Sequence, residues 1–511
     1  MAADPVLRDY LTSALRRHAS RPALTAGDLT WTYGDLDHAA RCVAGDLAGR
    51  GVTAGTPVAM LLPNGAEYVV TDLAIAMLGA AKVPVNLMLS PDECAYIIDN
   101  SRAAVCVVHE EQTGSVELAR SRGATPGMLV VGGEEDGWNA ALAHEPIHDL
   151  PAVSPDEQAL IMYTGGTTGL PKGVVHSQRG MAMNLLSHLI EMELTADDTL
   201  LLTSPLPHSA GFLLHAGLAQ GARVVVEEKF DVEAVLDRIE RDRASYLFLV
   251  PTMIYRLLDA AVARGSFDAS SLRTILYGAA PIVRERLEQG LRLFGPVFMQ
   301  LYGQSEAPNF LTRLRREDHR TGGDGARVLT SCGRSVVMSE VRVVRDDGSA
   351  CGPGEVGEVT AWSPYTMEGY LGRPSETATA LRDGWLHTGD LGFLTEDGYL
   401  HLVDRKKDMI ITGGLNVYSS EVEQALARLD GVNEVAVAGV PHPDWGEAIV
   451  AFIVPSDDRV TAESVLAAAR TELSSYKRPK SVVLVDALPT TAVGKVDKKA
   501  LRAQVDLGDP S

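Results

Sequence analysis

The chain has no excess of positive charge: 46 lysines and arginines stand against 67 aspartates and glutamates, a formal net charge of -21. Nucleic acid and anionic membrane surfaces both demand a basic face, so neither is an expected partner. Its five cysteines, Cys42, Cys94, Cys106, Cys332 and Cys351, form no CxxC pair, and no histidine cluster has zinc spacing, so they read as ordinary reduced thiols. An uninterrupted apolar run long enough to cross a bilayer is also missing. The most apolar stretch, Val69 to Leu89, is broken by Asp72, Lys82 and Pro84, and a buried helix followed by a strand is expected there. The first residues, MAADPVLRDYLTSALRRHA, carry charge throughout and no apolar signal core, which makes a cytoplasmic location the expectation. There is no internal repeat or low-complexity tract, and no feature of the sequence fixes an oligomeric state.

At 511 residues the chain exceeds the roughly 250 to 300 residues at which one core stops growing, so two or more domains are expected. Its composition, 46% hydrophobic and 22% charged, is that of a packed globular protein. Trp31-Thr32-Tyr33 suggests a short strand, after which Asp35 is placed to cap a helix bearing Leu36, Ala39, Val43 and Leu47 and ending near Gly49 and Gly51. Apolar runs at Val58 to Leu62, Ala104 to Val108, Met128 to Val131 and Ala159 to Tyr163 alternate with amphipathic stretches such as Glu67 to Met77, the βα rhythm of a parallel sheet. A second series implies another α/β layer: Arg223 to Val226, a helix from Val232 to Arg241, Tyr246 to Val250, Leu272 to Tyr277 and Val297 to Leu301. After about residue 330 the texture changes to strand-like pieces punctuated by glycine and proline, including Val341 to Val344, Gly357 to Ala361 and Tyr399 to Val403. The charged pentapeptide Asp404-Arg405-Lys406-Lys407-Asp408 is the best boundary, and the roughly 100 residues beyond it suffice for a small α+β domain.

Directly after the run Ala159 to Tyr163 comes Thr164-Gly165-Gly166-Thr167-Thr168-Gly169-Leu170-Pro171-Lys172-Gly173. Glycines let backbone N-H groups converge on phosphate oxygens, threonine hydroxyls add donors, and lysine supplies a mobile point charge. The segment is not a Walker A loop, because Pro171 precedes the lysine and Gly173 follows it where that motif has glycine and then serine or threonine. Further segments follow in order: PLPHSAG from Pro205, YGAAP from Tyr277, YGQSE from Tyr302, GWLHTGD ending at Asp390, DRKKDMIITGGLNVYSSEVE from Asp404 and PTTAVGKVDKKAL from Pro489.

Together these segments resemble the adenylate-forming superfamily of acyl-CoA synthetases, nonribosomal adenylation domains and luciferases, from about residue 30 to residue 501. The resemblance implies an α/β fold with a large N-terminal domain of layered sheets and helices and a β-rich subdomain, residues 1–403. A hinge at 404–408 and a small mobile α+β domain, 409–511, complete it. It implies ATP, Mg2+ and coenzyme A as cofactors. The activity implied is attack of a carboxylate on ATP to give an acyl-adenylate, then transfer of the acyl group to a thiol.

Residue by residue, the resemblance gives Thr164, Gly165, Gly166, Thr167, Thr168, Gly169 and Lys172 to the phosphates. Gly278, Ala279 and Ala280 form the adenine wall, with Tyr302 and Gly303 beside it, and Ser305 lies near the α-phosphate. Glu306 helps to hold magnesium, for which a hard oxygen ligand is suited. Asp390 accepts the ribose hydroxyls, Arg405 also reaches the ribose, and Lys407 is the hinge. Lys495 is the adenylation lysine, a cation placed between two mutually repelling anions, the attacking carboxylate and the α-phosphate. Gly413 and Gly414 line the pantetheine tunnel, while Trp445, Tyr476, Lys477 and Arg478 sit at coenzyme A contact positions. Two departures, Gly165 for the usual loop serine and Ser305 for threonine, remove no charge.

The acid is a small-molecule substrate whose pocket draws on His208 at the gate, Phe212, Leu213, Met253, Gln304 and Ala307. No acidic residue occurs from Thr199 to Val226, so the aspartate that anchors an amino acid's ammonium is missing. The apolar pocket candidates suit an aliphatic or aromatic acid selected by shape. Three readings follow: an acyl-CoA synthetase, an enzyme loading an acyl carrier protein through the same tunnel, and a non-catalytic nucleotide-binding protein. The last conflicts with the intact set Glu306, Asp390, Arg405 and Lys495.

Overall fold

The computed structural model describes residues 5–133, 137–164, 170–322, 325–457, 459–490 and 496–505. By contacts the chain divides into two compact units, Met1–Val341 with Ala361–Leu386, and Arg342–Thr360 with His387–Ser511.

The first unit is built on two sheets. In the nine-stranded sheet the strands Phe298–Gln304, Thr274–Tyr277, Tyr246–Leu249, Thr199–Leu202, Arg223–Val226 and Pro22–Ala26 lie parallel in that order. Antiparallel strands close both ends, Ala307–Leu314 and Arg334–Ser335 on one side and Leu29–Thr32 on the other. The seven-stranded sheet has a parallel run of Gln158–Thr164, Ala81–Pro84, Pro57–Leu61, Val105–His109 and Gly127–Val131. Beyond Gln158–Thr164 lie the antiparallel strands Lys172–Ser177 and Gly369–Tyr370. The runs of Leu200 to Leu202 and Val224 to Val226 are apolar without alternation because helices cover both faces of a parallel sheet. One apolar core joins residues of both sheets to the helices Ala66–Leu78, Gln178–Glu191 and Gly211–Gln220.

The expected elements appear with small shifts: the helix over Glu67 to Met77 is Ala66–Leu78, with the strand Ala81–Pro84 after it. The cap of the second helix is a correction. Thr32, not Asp35, is the N-cap of Tyr33–Gly49, and Asp35 sits three residues in, returning its carboxylate to the Thr32 N-H at 2.8 Å. Both residue types can cap, and the strand ending at Thr32 decides which does.

The second unit holds most of the β-rich segment, with strands Glu340–Val344, Gly357–Trp362, Trp385–Leu394 and Leu400–Arg405. It also holds a sheet built on the long antiparallel pair Val432–His442 and Gly446–Pro455, carrying the helices Ser419–Leu426 and Ala462–Glu472. All five cysteines are free. Among the described residues no helix is long and apolar enough to cross a membrane.

Three histidines of the first unit are buried and neutral. His176, His188 and His319 are each pushed down by burial to about 4. His188 donates from Nδ1 to the Asn184 carbonyl at 2.7 Å, and His319 donates from Nδ1 to Arg315 while Nε2 accepts the Tyr277 hydroxyl. Between the folded value near 4 and the unfolded 6.5 the unfolded chain binds more protons, so this stability is present above 6.5 and lost as pH falls. Urea titrations should therefore show a lower midpoint at pH 5 than at pH 7, by on the order of 1 to 2 kcal/mol per histidine. An unchanged midpoint would contradict the neutral assignment.

Candidate active site

Thr164 and Lys172, the ends of the glycine- and threonine-rich segment, are register partners across the antiparallel strands Gln158–Thr164 and Lys172–Ser177. Gly165, Gly166, Thr167, Thr168 and Gly169 lie outside the described residues. Strand, loop, strand is itself a different device from a Walker loop, which opens into a helix. Lys172 Nζ lies 5.0 Å from the centre of the Tyr370 ring. The Tyr370 hydroxyl donates to the Glu306 carboxylate at 2.8 Å. Burial and the Glu306 charge push the Tyr370 phenol far above 10, so it remains a donor at any working pH. A cation and an anion are thus held apart by one aromatic ring that touches both. Tyr370 carried no signal in the sequence.

Glu306 owes its place to a hairpin at the edge of the parallel strands. Phe298–Gln304 and Ala307–Leu314 pair around Ser305 and Glu306, with a register shift between Tyr302 and Gln304. Gly303 is required there, since a Cβ would lie 2.7 Å from the Asn309 backbone. Two hydrogen bonds fix the tip: His176 Nε2 donates to the Ser305 carbonyl and the Met367 N-H to the Glu306 carbonyl, both at 2.8 Å. His176 and Lys172 lie on one face of their strand, two pleats apart. Tyr302 is nearly buried, and Gln304 partly so.

At the end of the strand Thr274–Tyr277, a Cβ on Gly278 would meet the Leu301 carbonyl at 2.6 Å, so only glycine fits. Ala279 follows at φ +67, a left-handed conformation that a residue with a Cβ adopts only under constraint, and Ala279 and Ala280 are exposed. A flat ring can approach such a backbone without meeting a side chain.

His208 breaks the wide helical turn Leu206–Ala210 with φ -117 and ψ -148. Asn86 spends Oδ1 on the Met88 N-H, so its Nδ2 donates to His208 Nε2 at 2.9 Å. Phe212 stacks on His188, with centroids 6.1 Å apart, and Asn309 Nδ2 contacts both His188 Nε2 and the Ser209 carbonyl. Leu213 and Ala307 are fully buried, and Met253 Sδ accepts from the Ser204 hydroxyl. His188 and Asn86 are polar neighbours of this segment that sequence reasoning did not find.

In the second unit, Asp390 and Arg405 are register partners, joined by Arg405 Nε to Asp390 Oδ1 at 2.7 Å. Gly389, at φ +68, turns the chain there, and Asp390 is only 4% exposed. Lys406 pairs with Asp346 and Glu358, while Lys407 is exposed. Gly413 and Gly414, at φ +57 and +77, are the two-residue turn between Ile410–Thr412 and Leu415–Val417, a hairpin type that asks for glycine. Trp445 is half-exposed, stacked on His442 at 4.2 Å and covered by Lys480 Nζ at 4.9 Å. Tyr476 is also exposed, but Lys477 is paired with Glu421 and Arg478 donates to the carbonyls of Leu473 and Arg470. Lys480 was not found from sequence. Lys495 lies outside the described residues.

The AMP-binding enzyme family matches residues 11–371 and the AMP-binding enzyme C-terminal domain matches 421–495. A feruloyl-CoA synthase of Amycolatopsis is 38% identical over 96% of this chain and 97% of its own. A medium/long-chain-fatty-acid–CoA ligase of Mycobacterium tuberculosis is 36% identical over 97% of this chain and 89% of its own. Among solved structures, the o-succinylbenzoate CoA synthetase of Bacillus subtilis in complex with its acyl-adenylate intermediate superposes with a TM-score of 0.86, at 29% identity, over 96% of this chain and 97% of that one.

Tyr370→Phe keeps the ring against Lys172 and removes only the bond to Glu306. It should weaken ATP binding about tenfold, the worth of a hydrogen bond to a charged group, as read by calorimetry. Unchanged affinity would remove Glu306 from the nucleotide site.

Proposed function

The chain belongs to the AMP-binding enzyme family of adenylate-forming enzymes, and on that premise we propose how its residues divide the work. It is an ATP-dependent acid-CoA ligase: a carboxylate and ATP give acyl-AMP and pyrophosphate, and coenzyme A then takes the acyl group with release of AMP. Its substrates are ATP, coenzyme A and a small-molecule carboxylic acid.

In the proposed course, Thr164 and Lys172 with the loop between them hold the β- and γ-phosphates. Adenine lies against Gly278 to Ala280 with Tyr302 over it, and Asp390, oriented by Arg405, accepts the ribose hydroxyls. The observation that carries the reading is the Glu306-Tyr370-Lys172 cluster, which offers an oxygen ligand and an ammonium group in one fixed unit. Glu306 fits magnesium as a single carboxylate, part-exposed and oriented by the Tyr370 hydroxyl. Magnesium is commonly held by one or two carboxylates plus substrate phosphates. Bound there, it would neutralise phosphate charge. Ser305 stands near the α-phosphate, and Lys495 meets the charge that develops as the carboxylate attacks.

Lys407 is proposed as the hinge within 404–408, and Gly413-Gly414 as the lining of the pantetheine path. The exposed Trp445, with Lys480 above it, offers a stacking platform to coenzyme A; Lys477 and Arg478, engaged within the protein, contribute by shaping that surface. The acid is proposed to be mainly apolar, aliphatic or aromatic, in keeping with Phe212, Ala307 and Met253 and with the feruloyl and fatty-acid relatives. A cytoplasmic location is supported by five free cysteines.

Lys495→Ala should lower acid-dependent ATP-pyrophosphate exchange by a factor of about 100 or more while largely sparing thioester formation from a supplied acyl-adenylate. Equal loss of both half-reactions would overturn the assignment. In the same assay, exchange without transfer to coenzyme A would direct the acyl group to a carrier protein instead.

A further inference from the structure

The reaction leaves unused a buried charged cluster beside the acyl segment. Asp72, 2% exposed on the helix Ala66–Leu78, receives Lys82 Nζ at 2.9 Å and His215 Nε2 at 3.0 Å on the same carboxylate oxygen. Burial, the largest single effect, pushes the Asp72 carboxyl up, but Lys82 and His215 together hold it below the ordinary range, so it is a carboxylate. A cluster of this kind is costly to bury and adds little net stability over apolar packing. Its presence in the core between two sheets calls for a use.

Its position suggests one. The strand Ala81–Pro84 carries Lys82 and is followed two residues later by Asn86, while the segment from Leu206 to Gln220 carries His208 and His215. The two are tied at one end by Asn86 to His208 and at the other by Lys82 through Asp72 to His215. Between the ties, a Cβ on Gly211 would stand 4.0 Å from Lys82 Nζ, and Phe212 is the next residue.

Hydrogen-bonding capacity is left over. Among the described residues Asp72 is the sole hydrogen-bond partner of the Lys82 ammonium, which has three donors. The Tyr68 hydroxyl, one turn before Asp72 and fully buried, has no partner among the described residues. The Lys82 side chain is 12% exposed, so its spare donors are open to a ligand oxygen, and a buried hydroxyl without an acceptor is costly.

We propose that Lys82, fixed by Asp72 and His215, forms the far wall of the acyl slot and selects an acid bearing a neutral oxygen acceptor, such as a ketone, beyond the gate at His208. A neutral acceptor is favoured over a second carboxylate because Asp72 already balances the Lys82 charge, and a further anion would be buried uncompensated. This refines the apolar acid proposed above and rests on the acid-CoA ligase reading.

The test is a ladder of straight-chain acids, each paired with its counterpart carrying a ketone near the far end, compared by kcat/KM for acid-dependent pyrophosphate exchange. The wild-type enzyme should favour the oxo acid about tenfold or more at one chain length, and Asp72→Asn with Lys82→Met should bring that ratio to about one. A wild-type ratio near one at every length overturns the inference by itself and leaves the ligase reading standing, even if the double variant does not fold. A preference that persists in the double variant overturns it too. No exchange with either member of any pair, while an aryl acid still supports exchange, overturns the inference alone; no exchange with any acid of either kind overturns the ligase reading beneath it.

Discussion

The hydrogen bond from buried His176 to the Ser305 carbonyl joins the two sheets of the first unit at the point where chemistry is proposed. His176 stands in the seven-stranded sheet and Ser305 at a hairpin tip of the nine-stranded one. The strand that supplies His176 also supplies Lys172, and the residue after Ser305 is Glu306. One bond therefore sets the separation of a cation and an anion that belong to different sheets, and the Tyr370 ring fills it. A protonated His176 would still donate, but would carry a charge into a site with no partner for its Nδ1 among the described residues. Burial keeps it neutral.

An acidic protein that takes ATP and coenzyme A faces repulsion at long range, so the sites must be made by local arrangement. In the first unit, backbone does much of this work. Gly278 and Gly303 are close-packed to within a distance no side chain allows, and Ala279 is held in a strained conformation beside them. In the second unit the same economy appears at Gly389 before Asp390 and at the Gly413-Gly414 turn. The acyl segment is different: its neighbours His188, Asn309 and Asn86 are polar and hydrogen-bonded to one another or to the segment, an arrangement that fixes shape more strictly than apolar packing would.

What the sequence made legible was what lies close along the chain. The glycine-rich loop, the strand runs and the YGQSE and GWLHTGD segments are contiguous, and both the fold and the family followed from them. Partnerships across long separations were not legible. Tyr370 meets Glu306 from 64 residues away, and Asn86 meets His208 across 122. Asp72 and Lys82 were read only as interruptions of an apolar run, which excluded a membrane span but hid that they interrupt it together with His215. Asp35 and Thr32 show the same limit at short range, since either can cap a helix and only the end of the preceding strand selects between them.

Acid and ATP meet in an acyl-adenylate before coenzyme A acts. A carboxylate labelled with heavy oxygen in both positions tests it directly, because attack on the α-phosphorus leaves one carboxylate oxygen on the phosphate when the thiol displaces AMP. One heavy oxygen should be found in each AMP released, as read by mass spectrometry, and none in pyrophosphate. Label in pyrophosphate or inorganic phosphate, or AMP without label, would contradict the account.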